Sequence, residues 1–218
     1  MLGETLEDLG LGRRPELAHV GVKESVFPWT RFPGVDAALG PEMKSTGEVM
    51  GIDQDFPLAF AKSQLGAGSD LPLAGTVFLS IKDAEKPHIQ DVARGFHALG
   101  IQLLATRGTA QAIRHFQIPV QILKKVSEGR PNVVDAMING SVHLVINTPS
   151  GKRPRQDEVS IRTTAVARKV PLVTTMRAAR AVVAAIGRMK EAGADRVRPL
   201  QEFHAAMRGA APRGKSMS

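Results

Sequence analysis

From Leu73 onward, short apolar runs alternate with stretches of helical period, and this alternation limits the chain to a few architectures. Thr76–Ile81, Ile101–Ala105, Pro119–Leu123, Val142–Ile146 and Pro171–Val173 read as short strands. Between and after them, His88–Leu99, Gly108–Phe116, Asn132–Ile138, Asp157–Lys169 and Thr175–Met189 read as helices, and a final short helix is expected around Phe203–Met207. Five strands alternating with helices predict an α/β fold, a parallel sheet covered on both faces. Such sheets take ligands at the carboxyl ends of their strands. The segment before Leu73 has a different character. Residues 1–50 are rich in turns and read as irregular chain whose Phe27, Trp29, Phe32 and Val35 need another body to pack on. A helix from Asp55 to Leu65 has Asp55 as its cap and Pro57 in its first turn. Gly66–Pro72 reads as a linker, and the polar tail from Gly209 as frayed.

Composition removes several classes of function. At 218 residues the chain is long enough for a real core, and 43% hydrophobic residues can fill it. The absence of cysteine excludes a disulfide scaffold, a thiolate zinc site and a cysteine nucleophile. No apolar run is long enough for a transmembrane helix. The acidic start MLGETLEDLG is not a signal peptide, so a cytoplasmic location is expected. The balance of 29 basic and 21 acidic residues, a net +8, favours a phosphorylated or polyanionic ligand. Eight Phe, one Trp and no Tyr are few for a protein that stacks single-stranded bases. The basic residues are scattered, with Lys152-Arg153-Pro154-Arg155 as a local cluster, so nucleic acid and membrane are not expected partners.

The loops after the first four strands share one chemistry. They contain Ser80 and Lys86, then Thr106-Arg107-Gly108-Thr109, then Lys125 through Asn132, then Asn147-Thr148-Pro149-Ser150. Glycines admit close backbone approach, helix starts offer free N–H groups, and hydroxyls and lysines bind charged oxygens. A threonine before a helix is more often only a cap; four such loops on one edge favour an anion site. The six histidines show no metal-ligand spacing, and no nucleophile or phosphate-loop motif occurs. Asp83 and Glu128 beside lysines read as charge balancers. No catalytic constellation is present in the chain.

Long collinear motifs resemble one family. HVGVKESVFPWTRFPGVDAALGPEMKSTGEVMG (His19–Gly51) resembles the close of the second ATP-grasp unit of the carbamoyl phosphate synthetase large chain, and AFAKSQLGAG the helix after it. ATRGTA, KVSEGRPN, LVINTPSG and IRTTAVARKVPLVTT resemble that chain's C-terminal regulatory domain, of methylglyoxal-synthase-like fold. The resemblance implies a division at 1–50 (ATP-grasp remnant), 51–72 (helix and linker), 73–208 (regulatory domain) and 209–218 (tail). It implies that the chain is a fragment of a ligase, whether a natural split product or a truncated gene product. The intact enzyme makes carbamoyl phosphate from bicarbonate, glutamine-derived ammonia and ATP, for pyrimidine and arginine synthesis. Its ATP and Mg or Mn belong to the missing ATP-grasp bodies, so no cofactor is expected in this chain. Its partners would be the rest of the large chain and the small glutaminase chain; a homo-oligomer is a further assembly left open.

Carried over by motif, a nucleotide effector such as UMP or IMP would be held by Ser80, Lys86, Thr106, Thr109, Lys125 and Asn147. Pro149 replaces a family threonine and removes a hydroxyl and an N–H; Lys152 is the nearby cation that could compensate. The alternative is a stand-alone enzyme of the methylglyoxal synthase type. That chemistry needs an Asp base after the third strand, where this chain has Glu128-Gly129-Arg130-Pro131. Some bacterial members of the family bind ornithine through a Tyr-Asp pair and the Glu of VKE. Here Glu24 is present, but the pair is Leu172 and Val173, which cannot hold an ammonium group. Calorimetry with ornithine is therefore expected to show no saturable heat.

Overall fold

The computed structural model describes residues 3–11, 17–32, 34–38, 42–150, 156–192 and 199–210. The amino-terminal part departs from expectation. β1 (Val20–Val26) and β2 (Gly47–Asp53) pair antiparallel over their whole length, Val20 opposite Asp53 and Val26 opposite Gly47. Residues 1–50 are thus not wholly irregular. The alternation of Val20, Val22 and Val26 was a strand signal, but 20 residues separate the strands and no hairpin turn marks the pairing. Of the aromatic residues there, Phe27 stacks on Trp29 at 5.0 Å between ring centroids, and Lys44 Nζ lies 5.9 Å over the Trp29 ring. Phe32 remains 56% exposed.

The ribbon lies on α1 (Phe56–Gly66), which starts as the sequence predicts: Asp55 Oδ1 accepts from the Leu58 N–H at 2.9 Å, with Pro57 in the first turn. The close approach requires Gly51. A Cβ at that position would lie 2.0 Å from the Ala59 carbonyl oxygen and 2.4 Å from the Ser63 nitrogen. α1 is not a free linking helix. Phe60, Ala61 and, beyond the helix, Leu71 enter the same buried cluster as the sheet, and Asp55 Oδ2 accepts from Arg188 at 2.9 Å.

The main body is the expected parallel sheet. β3 (Thr76–Ser80), β4 (Gln102–Ala105), β5 (Gln121–Ile122), β6 (Leu144–Asn147) and β7 (Leu172–Val173) lie in the order β5-β4-β3-β6-β7, all parallel. The strand period of two separates the core into two layers. Val77, Leu79, Leu144 and Ile146 face one cluster, with α2 (Gln90–Ala98), α3 (Arg107–Arg114) and α6 (Met176–Ala192). Phe78 and Val145 face the other, with α4 (Val133–Ile138) and α5 (Gln156–Ala167). Asn132 caps α4 by accepting from Val134 N, and Asp135 returns the bond to Asn132 N. α2 begins later than expected, because Asp83–His88 forms a 3₁₀ turn first. α7 (Leu200–Ala210) is longer than the predicted final helix and runs past Gly209. Residues 193–198 and the tail beyond Ala210 lie outside the described residues.

Gly51→Ala is expected to lose about 1–3 kcal/mol of stability, since the added methyl meets backbone and not a movable side chain. Denaturant unfolding measures this; an unchanged midpoint would show that the ribbon is not held against α1.

Candidate functional site

The chain winds outward from β3 to β4 and β5, then returns to the other side of β3 for β6 and β7. The reversal leaves a crevice outside the carboxyl ends of β3 and β6, where Ser80 pairs in register with Asn147. A cavity of about 460 Å³ occupies this place. Its walls include Ser80, Lys86, Thr106 and Lys125, four of the sequence-predicted residues, one from each of the first three strand ends and one from the turn after β3. Main-chain bonds join the loops around it: Ile81 N–H donates to Thr109 Oγ1 at 3.1 Å, and Lys82 N–H to Thr148 Oγ1 at 2.9 Å.

The start of α3 forms one wall. Thr106 stands at the cap position, yet its hydroxyl caps nothing; it donates to Thr109 Oγ1 at 3.1 Å. The first intrahelical bond is from Ala110 N–H to the Thr106 carbonyl, at 2.8 Å. Helix geometry leaves the preceding N–H groups without intrahelical partners. Lys86 approaches this end: a Cβ on Gly108 would lie 2.8 Å from Lys86 Nζ. A cation at the positive end of a helix dipole is unfavourable unless an anion lies beside them. Asp83 meets Lys86 through its carboxylate, but that carboxylate is itself largely solvent-exposed.

Two predicted residues do not line the cavity. Thr109 is fully buried, its hydroxyl occupied by Ile81 N–H and Thr106. Asn147 is also fully buried behind the Ser80 strand end. Its Oδ1 accepts from Arg162 Nη1 at 2.8 Å, and its Nδ2 has no hydrogen-bond partner among the described residues. Lys152 lies outside the described residues. Thr148 is present at the rim, ahead of Pro149.

Sequence reasoning left out α5. Asp157, Glu158 and Ile161 form the far wall. Asp157 accepts from the Ser127 N–H at 3.0 Å and its hydroxyl at 2.5 Å. Glu158 accepts from both the N–H and the hydroxyl of Ser150. Glu128 Oε2 accepts from the Lys125 N–H at 3.1 Å. The lining therefore holds Lys82, Lys86 and Lys125 against Asp83, Glu128, Asp157 and Glu158, but every one of these acids already accepts a bond within the protein. No ion pair engages the Lys125 ammonium among the described residues, and none of these carboxylates is placed as a free base.

Beneath the far wall, Arg162 is fully buried. It grips Asp36, from the loop between β1 and β2, through Nε at 2.6 Å and Nη2 at 2.5 Å, and Glu158 lies 3.8 Å away. Burial pushes the Asp36 carboxyl up, but the hydrogen bonds from Arg162 and from the Ala38 N–H, with the charges of Arg162 and Lys44, outweigh it and hold the group below its ordinary value. The signal for this network was the Glu158–Arg162 spacing of four on a helix face that also carries Ile161 and Ala165, both buried.

A family model described as an MGS-like domain matches residues 88–174. The chain is 50% identical over 203 residues to the carbamoyl phosphate synthase large chain of Myxococcus xanthus (strain DK1622), covering 93% of this chain and 19% of that protein. It is 47% identical over 203 residues to the protein of the same name from Nostoc sp. (strain PCC 7120 / SAG 25.82 / UTEX 2576), covering 93% and 18%. Over 170 residues it is 55% identical to the Aquifex aeolicus (strain VF5) protein named carbamoyl phosphate synthase large chain, C-terminal section, covering 78% and 32%. The chain thus spans less than two thirds of the length of these relatives.

The Asp36–Arg162 contact makes stability pH-dependent. A depressed native pKa stabilises the fold above the unfolded value, about 3.9, and that contribution is lost as pH falls through the lower native value. Melting temperature is expected to fall more steeply with acid in the unmodified chain than in Asp36→Asn. The variant is less stable near neutrality, and the two curves approach each other as pH falls through the lowered native value. Parallel curves would mean that Asp36 is not held down.

Proposed function

The chain belongs with the carbamoyl phosphate synthase large chains, as a C-terminal section carrying the MGS-like domain, and from that premise we propose that its cavity is a regulatory site for a phosphomonoester nucleotide such as UMP or IMP. The observation that carries the reading is the uncapped start of α3 with the Lys86 ammonium against Gly108. A dianionic phosphoryl group between them would satisfy free N–H groups, the Thr106 hydroxyl and the lysine together. The Lys125 ammonium, from the β5 end, adds a second cation. The cavity volume of about 460 Å³ suits a mononucleotide and not a polymer.

On this reading, occupation of the cavity controls carbamoyl phosphate synthesis elsewhere in the large chain. The rest of that chain and the glutaminase chain are its partners, and ATP with Mg or Mn acts in the ATP-grasp bodies. Among the described residues no helix is long and apolar enough to cross a membrane, and no group of His, Asp and Glu is placed to hold a metal ion. The proposed location is cytoplasmic. Catalysis by this chain alone is not favoured. Glu128, which stands where a methylglyoxal synthase type of enzyme needs its base, is spent on closing the Val126–Glu128 turn.

Charge-assisted hydrogen bonds contribute about 1.5–3 kcal/mol each. Lys86→Ala is therefore expected to weaken UMP or IMP binding about tenfold or more in a calorimetric titration of the 218-residue chain. Unchanged affinity would place the site elsewhere.

A further inference from the structure

Arg162 is the largest fully buried side chain in the described part of the molecule, and it has partners in two separate regions. Nη1 meets Asn147 Oδ1 at the end of β6, beside the cavity-lining Ser80 and Thr148. Nε and Nη2 chelate Asp36, 126 positions away in sequence, on the loop between β1 and β2. A hydrophobic side chain would fill this volume without the desolvation that a guanidinium costs, so the ion pair is a poor device for stability alone. It does have a geometric effect. By occupying Asn147 Oδ1, Arg162 sets which way the amide faces and leaves Nδ2 as its unsatisfied donor. A buried amide donor without a partner is costly, so this orientation is imposed by Arg162 and not by Nδ2.

We infer that Arg162 is a positioning residue that couples phosphate binding in the cavity to the Asp36 loop: it fixes Asn147, which pairs with the wall residue Ser80 and precedes the wall residue Thr148, and it holds Asp36 with the same guanidinium. The inference rests on the reading of the cavity as a phosphate site. Binding pulls Asn147 and Arg162 into one geometry, and the planar fork transmits that geometry to Asp36, because two parallel bonds fix direction as well as distance. By linkage, whatever free energy a bound ligand adds to the Asp36–Arg162 contact, that contact returns to ligand binding. Asp36 does not line the cavity, so any effect on affinity must pass through its neighbours.

The test uses the 218-residue chain with inorganic phosphate, UMP and IMP as probes. Calorimetry compares the unmodified chain with Asp36→Asn and Asp36→Glu, and amide hydrogen exchange follows the Ala38 N–H, which bonds Asp36 Oδ1 at 3.1 Å. Asp36→Asn is expected to weaken phosphate and nucleotide binding at least about fivefold, Asp36→Glu to recover most of the loss, and ligand to slow Ala38 exchange in the unmodified chain. The direction is decisive. Removing an acid near an anion site strengthens anion binding if charge alone matters, whereas a lost positioning contact weakens it. Affinity that is unchanged or higher in Asp36→Asn, or Ala38 exchange that ignores a bound ligand, overturns the coupling and leaves the site intact. Failure of all three probes to bind the unmodified chain overturns the regulatory reading itself, and the coupling with it.

Discussion

The pairing of β3 with β6 sets the geometry of everything that follows. These strands lie side by side but 64 residues apart, from Ser80 to Leu144, because the chain first builds outward through β4 and β5 and only then crosses back. Their connections must leave in opposite directions over the sheet, so their carboxyl ends diverge and cannot fill the space between them. A hollow there is a consequence of topology. The residues that face it need only be those at the strand ends.

Charge decides what this hollow suits. Its lysines and carboxylates are nearly balanced in number, so its preference for an anion does not come from net charge. It comes from how the acids are committed. Asp157, Glu158 and Glu128 already accept bonds from Ser127, Ser150 and the Lys125 N–H, which leaves them as struts of the loops. The α3 start and the Lys125 ammonium have no such internal partner among the described residues. Donors are left over at the α3 start and on Lys125, and those donors favour a ligand rich in acceptor oxygens.

Much of this was legible along the chain. The five strands were visible because buried parallel strands are apolar runs between helical periods, and the first turn of α1 because Asp55 and Pro57 carry their roles locally. The loops holding Ser80, Lys86, Thr106 and Lys125 were legible because strand ends are where such sheets place ligands, the resemblance singled out these residues within them, and the structure sets all four in the wall of one cavity. The ribbon of β1 and β2 was missed. Its pairing spans two strands separated by 20 residues, and Gly51 interrupts the apolar alternation for the sake of a helix that approaches from elsewhere. Thr109 and Asn147 were assigned to the ligand by their position in motifs, yet both are buried in bonds to Ile81 and Arg162 that no motif announces.

The amino-acid sequence by itself determined the local rules: which segments extend, which coil, where helices start, and which edge of the sheet gathers hydroxyls and cations. Those depend on residues within a few positions of one another, and side-chain period and capping report them directly. Tertiary structure alone decided which donors stay free, which acids are spent, and that Asp36 and Asn147 meet on one guanidinium. Such facts arise from hydrogen bonds between residues tens to more than a hundred positions apart. Their partners are chosen by the packing of whole elements, which no local pattern encodes.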